Sequence, residues 1–455
     1  MSESRWSRRG RGIAVALGVA ALTVLGSVTA QAAPTATPGT LAGPNSVASL
    51  RAEVQHGTLL QTHGVMNACA TTVKLACLAE VVTTSPGSKK ALSSTTPAGY
   101  GATDLEKAYG LTGDSGQSGT IAIIDAGAYP TLESDLDVYR AQYGLPACTS
   151  ASGCLKIADY KGGPPLQPST SGEDPIIEEE VAVETSLDVD MASAACPNCK
   201  IIELQLPDED ALIEGSNADP ETTDFGTAVN TAAALGANSV SMSYQYPTDQ
   251  FEETGTPGLD LFHPGMAVLA SSGDGGYEGN TSTGWPSNLP WVTSVGGTSL
   301  YENQNGTFTS TAWAGAGSGC ETSLPAAIGQ PAAISKNCGG HRTGSDISAV
   351  ADPNTGVAQY DTYAPYSGEP YDWIFDGGTS VSSPFVAGIY ARAGNLSQVI
   401  GPNTLYTDPA SDFTDVTIGS NTPPNTGVGP APLYTAGKGW DGPSGLGTPK
   451  GLAGF

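Results

Sequence analysis

The chain has 455 residues, enough for one large domain with processed N-terminal material or for two ordinary domains. Its 45 acidic and 18 basic residues give a formal charge of −27, which argues against nucleic acid and anionic membranes as partners. There are 59 Gly and 33 Pro, so turns are many, but a 39% hydrophobic content is globular and excludes a disordered chain.

Arg5, Arg8, Arg9 and Arg11 precede an apolar run from Ile13 to Ala30, and Ala30-Gln31-Ala32 offers small residues for cleavage before Ala33. Residues 1–32 therefore read as a signal peptide and the product as secreted. An uncleaved anchor is the alternative, since the run is as long as a short span; Pro34 and Pro38 favour cleavage. Ser7-Arg8-Arg9 hints at twin-arginine export but lacks the apolar residues that should follow. Loss of four Arg and Glu3 leaves 14 basic and 44 acidic residues, a charge of −30, which suits work near or below the isoelectric point. No later segment is apolar for long enough to cross a bilayer, so a soluble product is expected, acting as a monomer.

The eight cysteines fall into the close pairs 69/77, 148/154, 196/199 and 320/338. In an exported chain, disulfides between these neighbours are the simplest pairing. Cys196-Pro197-Asn198-Cys199 has the spacing of a redox or zinc motif, but no second such pair or nearby His completes a metal site, so a structural loop is expected.

Residues 33–96 read as a short propeptide or N-terminal extension, ending in the turn-forming Thr95-Thr96-Pro97-Ala98-Gly99. The pattern then predicts helices over 104–109, 132–143, 178–195, 225–235 and 379–392. Strands are predicted over 120–125, 200–205, 239–244, 266–271 and 291–295. Strands alternating with helices predict an α/β fold with a mostly parallel sheet covered on both faces. Functional groups in such folds sit at strand carboxyl ends and helix N-termini. The Ile418–Pro432 stretch reads as a surface loop.

Gly377-Gly378-Thr379-Ser380-Val381-Ser382-Ser383-Pro384 is the sharpest motif. Its glycines allow a tight turn and close approach, and Ser380 would open a helix whose free N–H groups suit an oxyanion. A plain N-cap at Thr379 or Ser382 is the bland alternative. A hydroxyl needs a base, yet only His56, His63, His263 and His341 exist, and none has a suitable context. Glu184 and Asp188 are four apart on a predicted helix, so their carboxylates share a face and can share a proton. Glu180 is also four residues from Glu184, so spacing alone does not choose the pair. Asp274, in Ser272-Gly273-Asp274-Gly275, and Asp125, at a strand end, read equally well as turn residues.

Together and in this order, Glu184-x-x-Leu187-Asp188, Ser272-Gly273-Asp274 and Gly378-Thr379-Ser380 resemble the sedolisin family of serine-carboxyl peptidases. The likeness runs over residues 97–455. It implies a subtilisin-like three-layer fold and an endopeptidase acting on proteins or peptides. By position it makes Ser380 the nucleophile, Glu184 its base, Asp188 the partner of that base and Asp274 the oxyanion donor, with Asp125 accessory. Only a protonated Asp274 can donate to an oxyanion, so acid activity that fades toward neutrality is expected. Phe413-Thr414-Asp415-Val416-Thr417 and Gly437-Lys438-Gly439-Trp440-Asp441 resemble the two halves of the family's calcium site. Side chains of Asp415 and Asp441 and carbonyls of Val416, Gly437 and Gly439 would hold one structural Ca2+. Two departures stand out: the extension is short for the family, and Gln245-Tyr246 replaces glycines expected beside the substrate cleft. A non-catalytic relative and a carboxylate-pair glycosidase are the rival readings. The glycosidase fits poorly, because two acids on one helical face cannot flank a sugar.

Overall fold

The computed structural model describes residues 45–69, 76–113, 116–168, 174–207, 220–245, 256–279, 284–365, 367–408, 410–422 and 429–455. The signal peptide expected over 1–32 lies outside them, as does Tyr246. Residues 45 onward belong to one unit.

The N-terminal stretch contains α1 (Val47–His56), β1 (Gly64–Asn67), β2 (Ala76–Cys77), β3 (Glu80–Thr83) and β4 (Ser93–Ser94). Ser46 caps α1 through its side chain, which accepts from Ser49 N. After α2 (Ala102–Ala108), the chain enters β5 (Thr120–Ala126), α3 (Leu132–Gln142), β6 (Leu155–Asp159), α4 (Asp174–Ala195), β7 (Lys200–Leu206) and α5 (Pro220–Ala234). The strands β8 (Ser239–Met242), β9 (Tyr244–Gln245), β10 (Ala267–Ser271), β11 (Thr293–Glu302) and β12 (Phe308–Ala312) follow. A hairpin, β13 (Cys320–Pro325) with β14 (His341–Thr343), leads to β15 (Ile347–Val350), β16 (Val357–Asp361), β17 (Asp372–Gly377) and α6 (Thr379–Ala393).

The main sheet has eight strands in the order β12-β11-β10-β8-β5-β7-β6, with β15 also paired to β11. All its pairings are parallel except β11 with β12. Because side chains alternate across a strand, β5 feeds two cores. Ile121 and Ile123 pack with residues of α4 and α6, whereas Ala122 and Ile124 pack with Phe225, Ala228 and Val229 of α5. Helices thus cover both faces, as the alternating pattern predicted.

The strand predicted over 239–244 breaks after Met242, where Ser243 leaves the ladder and turns its hydroxyl inward. That predicted over 291–295 starts two residues later, because Val292 N closes a turn on Leu289 O, and it then runs on to pair with β12. The disulfides join Cys69–Cys77, Cys148–Cys154, Cys196–Cys199 and Cys320–Cys338, the four neighbour pairs. The extension is woven into the fold. β3 and β4 both pair antiparallel with β17, and β2 pairs antiparallel with β9.

Candidate active site

The site lies where α4 and α6 run side by side in the same direction. They approach closely because residue 388 is Gly; a Cβ there would fall 2.6 Å from the Cβ of Ala195. Arg392, late in α6, donates to the carbonyl of Ala195 at 2.8 Å, which fixes the register. Counting back along both helices brings Ser380 beside Glu184. Gly378 precedes them with φ +89°, a conformation side chains disfavour, and a Cβ there would lie 1.8 Å from Leu78 O and 2.8 Å from Asp274 Oδ2.

Ser380, Glu184, Asp188 and Asp125 are all fully buried. The Ser380 hydroxyl is near enough to be the first influence favouring ionised Glu184, yet neither Ser380 Oγ nor Glu184 Oε1 has a well-formed hydrogen bond. Such contacts often tighten only in a reacting complex. Glu184 Oε2 is held by the backbone N–H groups of Leu78 at 2.9 Å and Ala79 at 2.7 Å. One turn on, Asp188 Oδ1 accepts from Ser243 Oγ at 2.9 Å.

Burial pushes Glu184 up to about 8 and carries Asp188 well above the usual carboxylate range, where the charges of Asp125 and Glu184 hold it. The closeness of the pair lowers Glu184 and raises Asp188, so Asp188 keeps the proton more firmly. Asp125, at the end of β5, is also raised, first by burial and then by Glu184, while hydroxyls of Thr185 and Tyr244 favour its charged form. The three acids therefore titrate as one cluster. The structure brings Asp125 into the group that the sequence left undecided.

Asp274 faces the cluster from the loop after β10. Its Oδ1 accepts from Thr379 N and Thr379 Oγ1, both at 2.8 Å, while Oδ2 is buried without a partner. Burial raises Asp274 to about 7 against those two bonds. Oδ2 thus borders the same space as Leu78 O, beside the first turn of α6.

The four His rings contact backbone carbonyls elsewhere, of Ala52, Thr84, Asp260 and Leu324. Gln245, the unexpected residue beside the cleft, packs against the backbones of Gly273 and Gly284 next to Asp274. At the C-terminus, Asp415 accepts from Gly439 N at 3.2 and 3.1 Å, and Asp441 from Gly437 N at 3.0 Å. The two halves of the expected calcium site therefore meet, with Asp441 buried. Two carboxylates and glycine-turn carbonyls are the oxygen donors a hard cation takes.

Sequence reasoning missed Ser243, Thr379 and the amides of Leu78 and Ala79. Ser243 had a signal. Ser239, Ser241 and Ser243 alternate, and their hydroxyls reach Ala387 O, Ser383 Oγ and Asp188, all along one face. The amides had none, because any residue type supplies them.

Fold and cluster together define an α/β protein of the subtilisin-like class in which carboxylic acids, not histidine, surround the serine. Kumamolisin of Bacillus sp. (strain MN-32) is 29% identical over 394 residues, 79% of this chain and 63% of that protein. Sedolisin of Pseudomonas sp. (strain 101) is 31% identical over 216 residues, 40% of this chain and 33% of that protein. A solved Pseudomonas sedolisin, a serine-carboxyl proteinase complexed with two molecules of pseudo-iodotyrostatin, matches with a TM-score of 0.60 at 23% identity. The match covers 78% of this chain and 96% of that one. No family model matches the chain. The chain spans less than two thirds of the length of either relative. In sequence the chain is thus similar to sedolisins, and in fold to a solved one.

Proposed function

We propose that the chain is a secreted serine-carboxyl endopeptidase that hydrolyses peptide bonds of proteins in acid. One observation carries the reading: Ser380, Glu184 and Asp274, from three separate elements, converge on a single buried space. Ser380 Oγ attacks the substrate carbonyl and Glu184 takes its proton, with Asp188 holding the carboxylate pair in place. Protonated Asp274 donates from Oδ2 to the oxyanion. Glu184 returns the proton to the leaving amine, and water repeats the sequence on the acyl-enzyme.

Asp274 sets the alkaline limit, since it loses its donor proton as pH rises through about 7. Glu184 sets the acid limit, because it must be ionised to act as base. While residues 78 and 79 cover the pair, Glu184 stays protonated up to about 8, and the active combination is scarce. Water that reaches Glu184 when a substrate displaces residues 78 and 79 would lower it and shift that combination toward acid. The loops carrying Asp415, Val416, Gly437, Gly439 and Asp441 would hold one Ca2+, whose contribution there is to brace the C-terminal loops. Residues 1–32 would direct export.

Hydrolysis of a denatured protein between pH 3 and 8, with cut sites read by mass spectrometry, tests the reading. Ser380→Ala should lower kcat at least roughly 10⁴-fold. Unchanged hydrolysis by that variant would remove Ser380 from the chemistry. A neutral or alkaline optimum for the purified enzyme would remove Asp274 from the role of oxyanion donor.

A further inference from the structure

We propose that Asp361, Tyr129 and Asp135 form an acid-closed latch, in which one retained proton fastens the end of β16 and the residues after it against α4. The latch uses none of the groups around Ser380, and only its value to catalysis rests on the peptidase reading. Tyr129, in the loop after β5, is buried, and its hydroxyl oxygen lies 2.9 Å from Asp135 Oδ2 and 2.9 Å from Asp361 Oδ1. A phenol has one proton and can donate to one of them. The other contact needs a proton of its own, so one of the two carboxyl groups is neutral. Their remaining partners say which. Asp135 also accepts from Thr131 Oγ1 at 2.9 Å, Thr362 N at 3.0 Å and Thr362 Oγ1 at 2.7 Å, a full set of donors for a carboxylate. Asp361 has Tyr363 N as a further donor at 2.9 Å, while its Oδ2 is buried without a partner. The proton therefore rests on Asp361, and the chain of bonds runs from Asp361 through Tyr129 to Asp135.

What the latch fastens is the helix that carries Glu184 and Asp188. Gln359 of β16 donates to Val183 O at 2.6 Å and to Ser186 Oγ, on either side of Glu184. Tyr360 N reaches Asp190 Oδ2 at 3.2 Å. Beyond Asp361, Tyr363 Oη donates to Glu178 Oε2 at 2.9 Å and Ser367 N to Glu179 Oε2 at 2.8 Å. These contacts run along α4 from residue 178 to residue 190, and the bonded set at Asp361 lies in the middle of the chain segment that makes them.

The groups facing Asp361 are nearly all acids. Asp135 comes from α3 and Glu178, Glu179 and Asp190 from α4, while Tyr371 faces it from the residue before β17. Asp372 of β17 stands opposite in the ladder but is exposed. The nearby cation, Arg140 of α3, directs its donors to Ser193 and to the carbonyls of Pro146 and Pro197. Burial pushes Asp361 up to about 7 against the bonds from Tyr363 N and Tyr129, and the charges of Asp135 and Glu179 add to the rise. Opening would let water in and return Asp361 to about 4. A raised group supports the closed state in full below its open value and loses that support as pH climbs to about 7. The opening equilibrium should therefore grow about tenfold per pH unit over that span, roughly 10³-fold in all, and level off above it.

The test is hydrogen exchange of the full chain between about pH 4 and 8, read by mass spectrometry in peptides spanning residues 360–368, with residues 341–350 as control. Rates are divided by that of an unfolded peptide at the same pH, so that a change in protection reports opening. In wild type, residues 360–368 should lose protection roughly 10³-fold between about pH 4 and 7, while residues 341–350 should not. Asp361→Asn is neutral at every pH and should make the response of 360–368 flat. Tyr129→Phe removes the bridging hydroxyl and should lower protection in acid at least about tenfold. The proposal fails if wild-type protection at 360–368 ignores pH, if Asp361→Asn keeps the slope, if Tyr129→Phe matches wild type in acid, or if 341–350 opens in step. Exchange needs no activity, so each of those outcomes leaves the peptidase reading standing. Hydrolysis supplies the second readout. Wild type held at about pH 7 and returned to acid should lose activity faster than Asp361→Asn, whereas the ionisation of Asp274 reverses on return. Equal loss in the two would remove the latch's hold on α4. Absence of hydrolysis at every pH would overturn the peptidase reading, and exchange would still decide the latch.

Discussion

Two buried acid clusters in this protein solve the same electrostatic problem in opposite ways. Near β14, Asp346 is fully buried and meets Arg342 through two bonds, each of 2.7 Å, with Ser294 N at 2.8 Å as a further donor. At the candidate site, Asp125, Glu184 and Asp188 are equally buried, but among the described residues no Lys or Arg pairs with them. Asp346 is matched by a fixed cation; the cluster is matched by protons it retains. A fixed cation holds a structure together but cannot move. A retained proton can be handed on, and this difference separates a structural acid from one able to do chemistry.

Removing one oxygen from each cluster should break the comparison most clearly. Glu184→Gln should lower kcat roughly 10²- to 10⁴-fold, because an amide cannot take the proton of Ser380. Its stability should change the other way. Glu184 has its folded pKa raised, so the wild type loses stability as pH rises from the unfolded value near 4 toward about 8. The glutamine variant escapes that loss, so melting should occur at higher temperature than wild type at pH 8 and be unchanged at pH 4. Asp346→Asn should instead leave Arg342 buried and unmatched, costing about 3–5 kcal/mol at either pH. Equal pH responses in the two variants would mean the clusters do not differ as described.

Much of this was legible beforehand, and the missing parts have a common cause. Ser380 was marked by flanking Gly378 and Pro384, and Glu184 and Asp188 by helical spacing, because these features are local in the chain. What spacing could not do was choose between Glu180 and Glu184, or say whether Asp125 was a turn residue. Those decisions depend on the register of α4 against α6, which Gly388 and Ala195 set in three dimensions. The extension was the largest gap. Glu80-Val81-Val82-Thr83 shows little alternation, and its strand exists because β17 is there to pair with it. Backbone amides such as those of Leu78 and Ala79 leave no trace in residue identity.

A smaller effect sharpens the role of the proton on Asp274. Asn has the same shape, so in Asp274→Asn the Oδ1 atom still accepts from Thr379, while Nδ2 replaces the unpartnered Oδ2 and donates at every pH. Activity in acid should change less than about tenfold, since the donor remains. The alkaline limb near 7 should vanish, because the group whose ionisation caused it is gone. A limb that stays in place in this variant would assign it to another acid.

The smallest effect is expected furthest from the serine. The loops at Asp415 and Asp441 bring two carboxylates together with backbone N–H groups as their present partners, an arrangement a cation would tighten. If calcium at about 100 times its dissociation constant binds only the folded chain, it adds about 2.7 kcal/mol. In a chain of this size that corresponds to a rise in Tm on the order of 5 °C. Chelation should reverse the rise, and Asp415→Asn should abolish it. Hydrolysis measured well below the melting range should be unaffected, because among the described residues Asp415 and Asp441 bond within their own loops and not to the groups around Ser380. Loss of hydrolysis in the still-folded, chelated protein would instead show that the ion shapes the cleft itself.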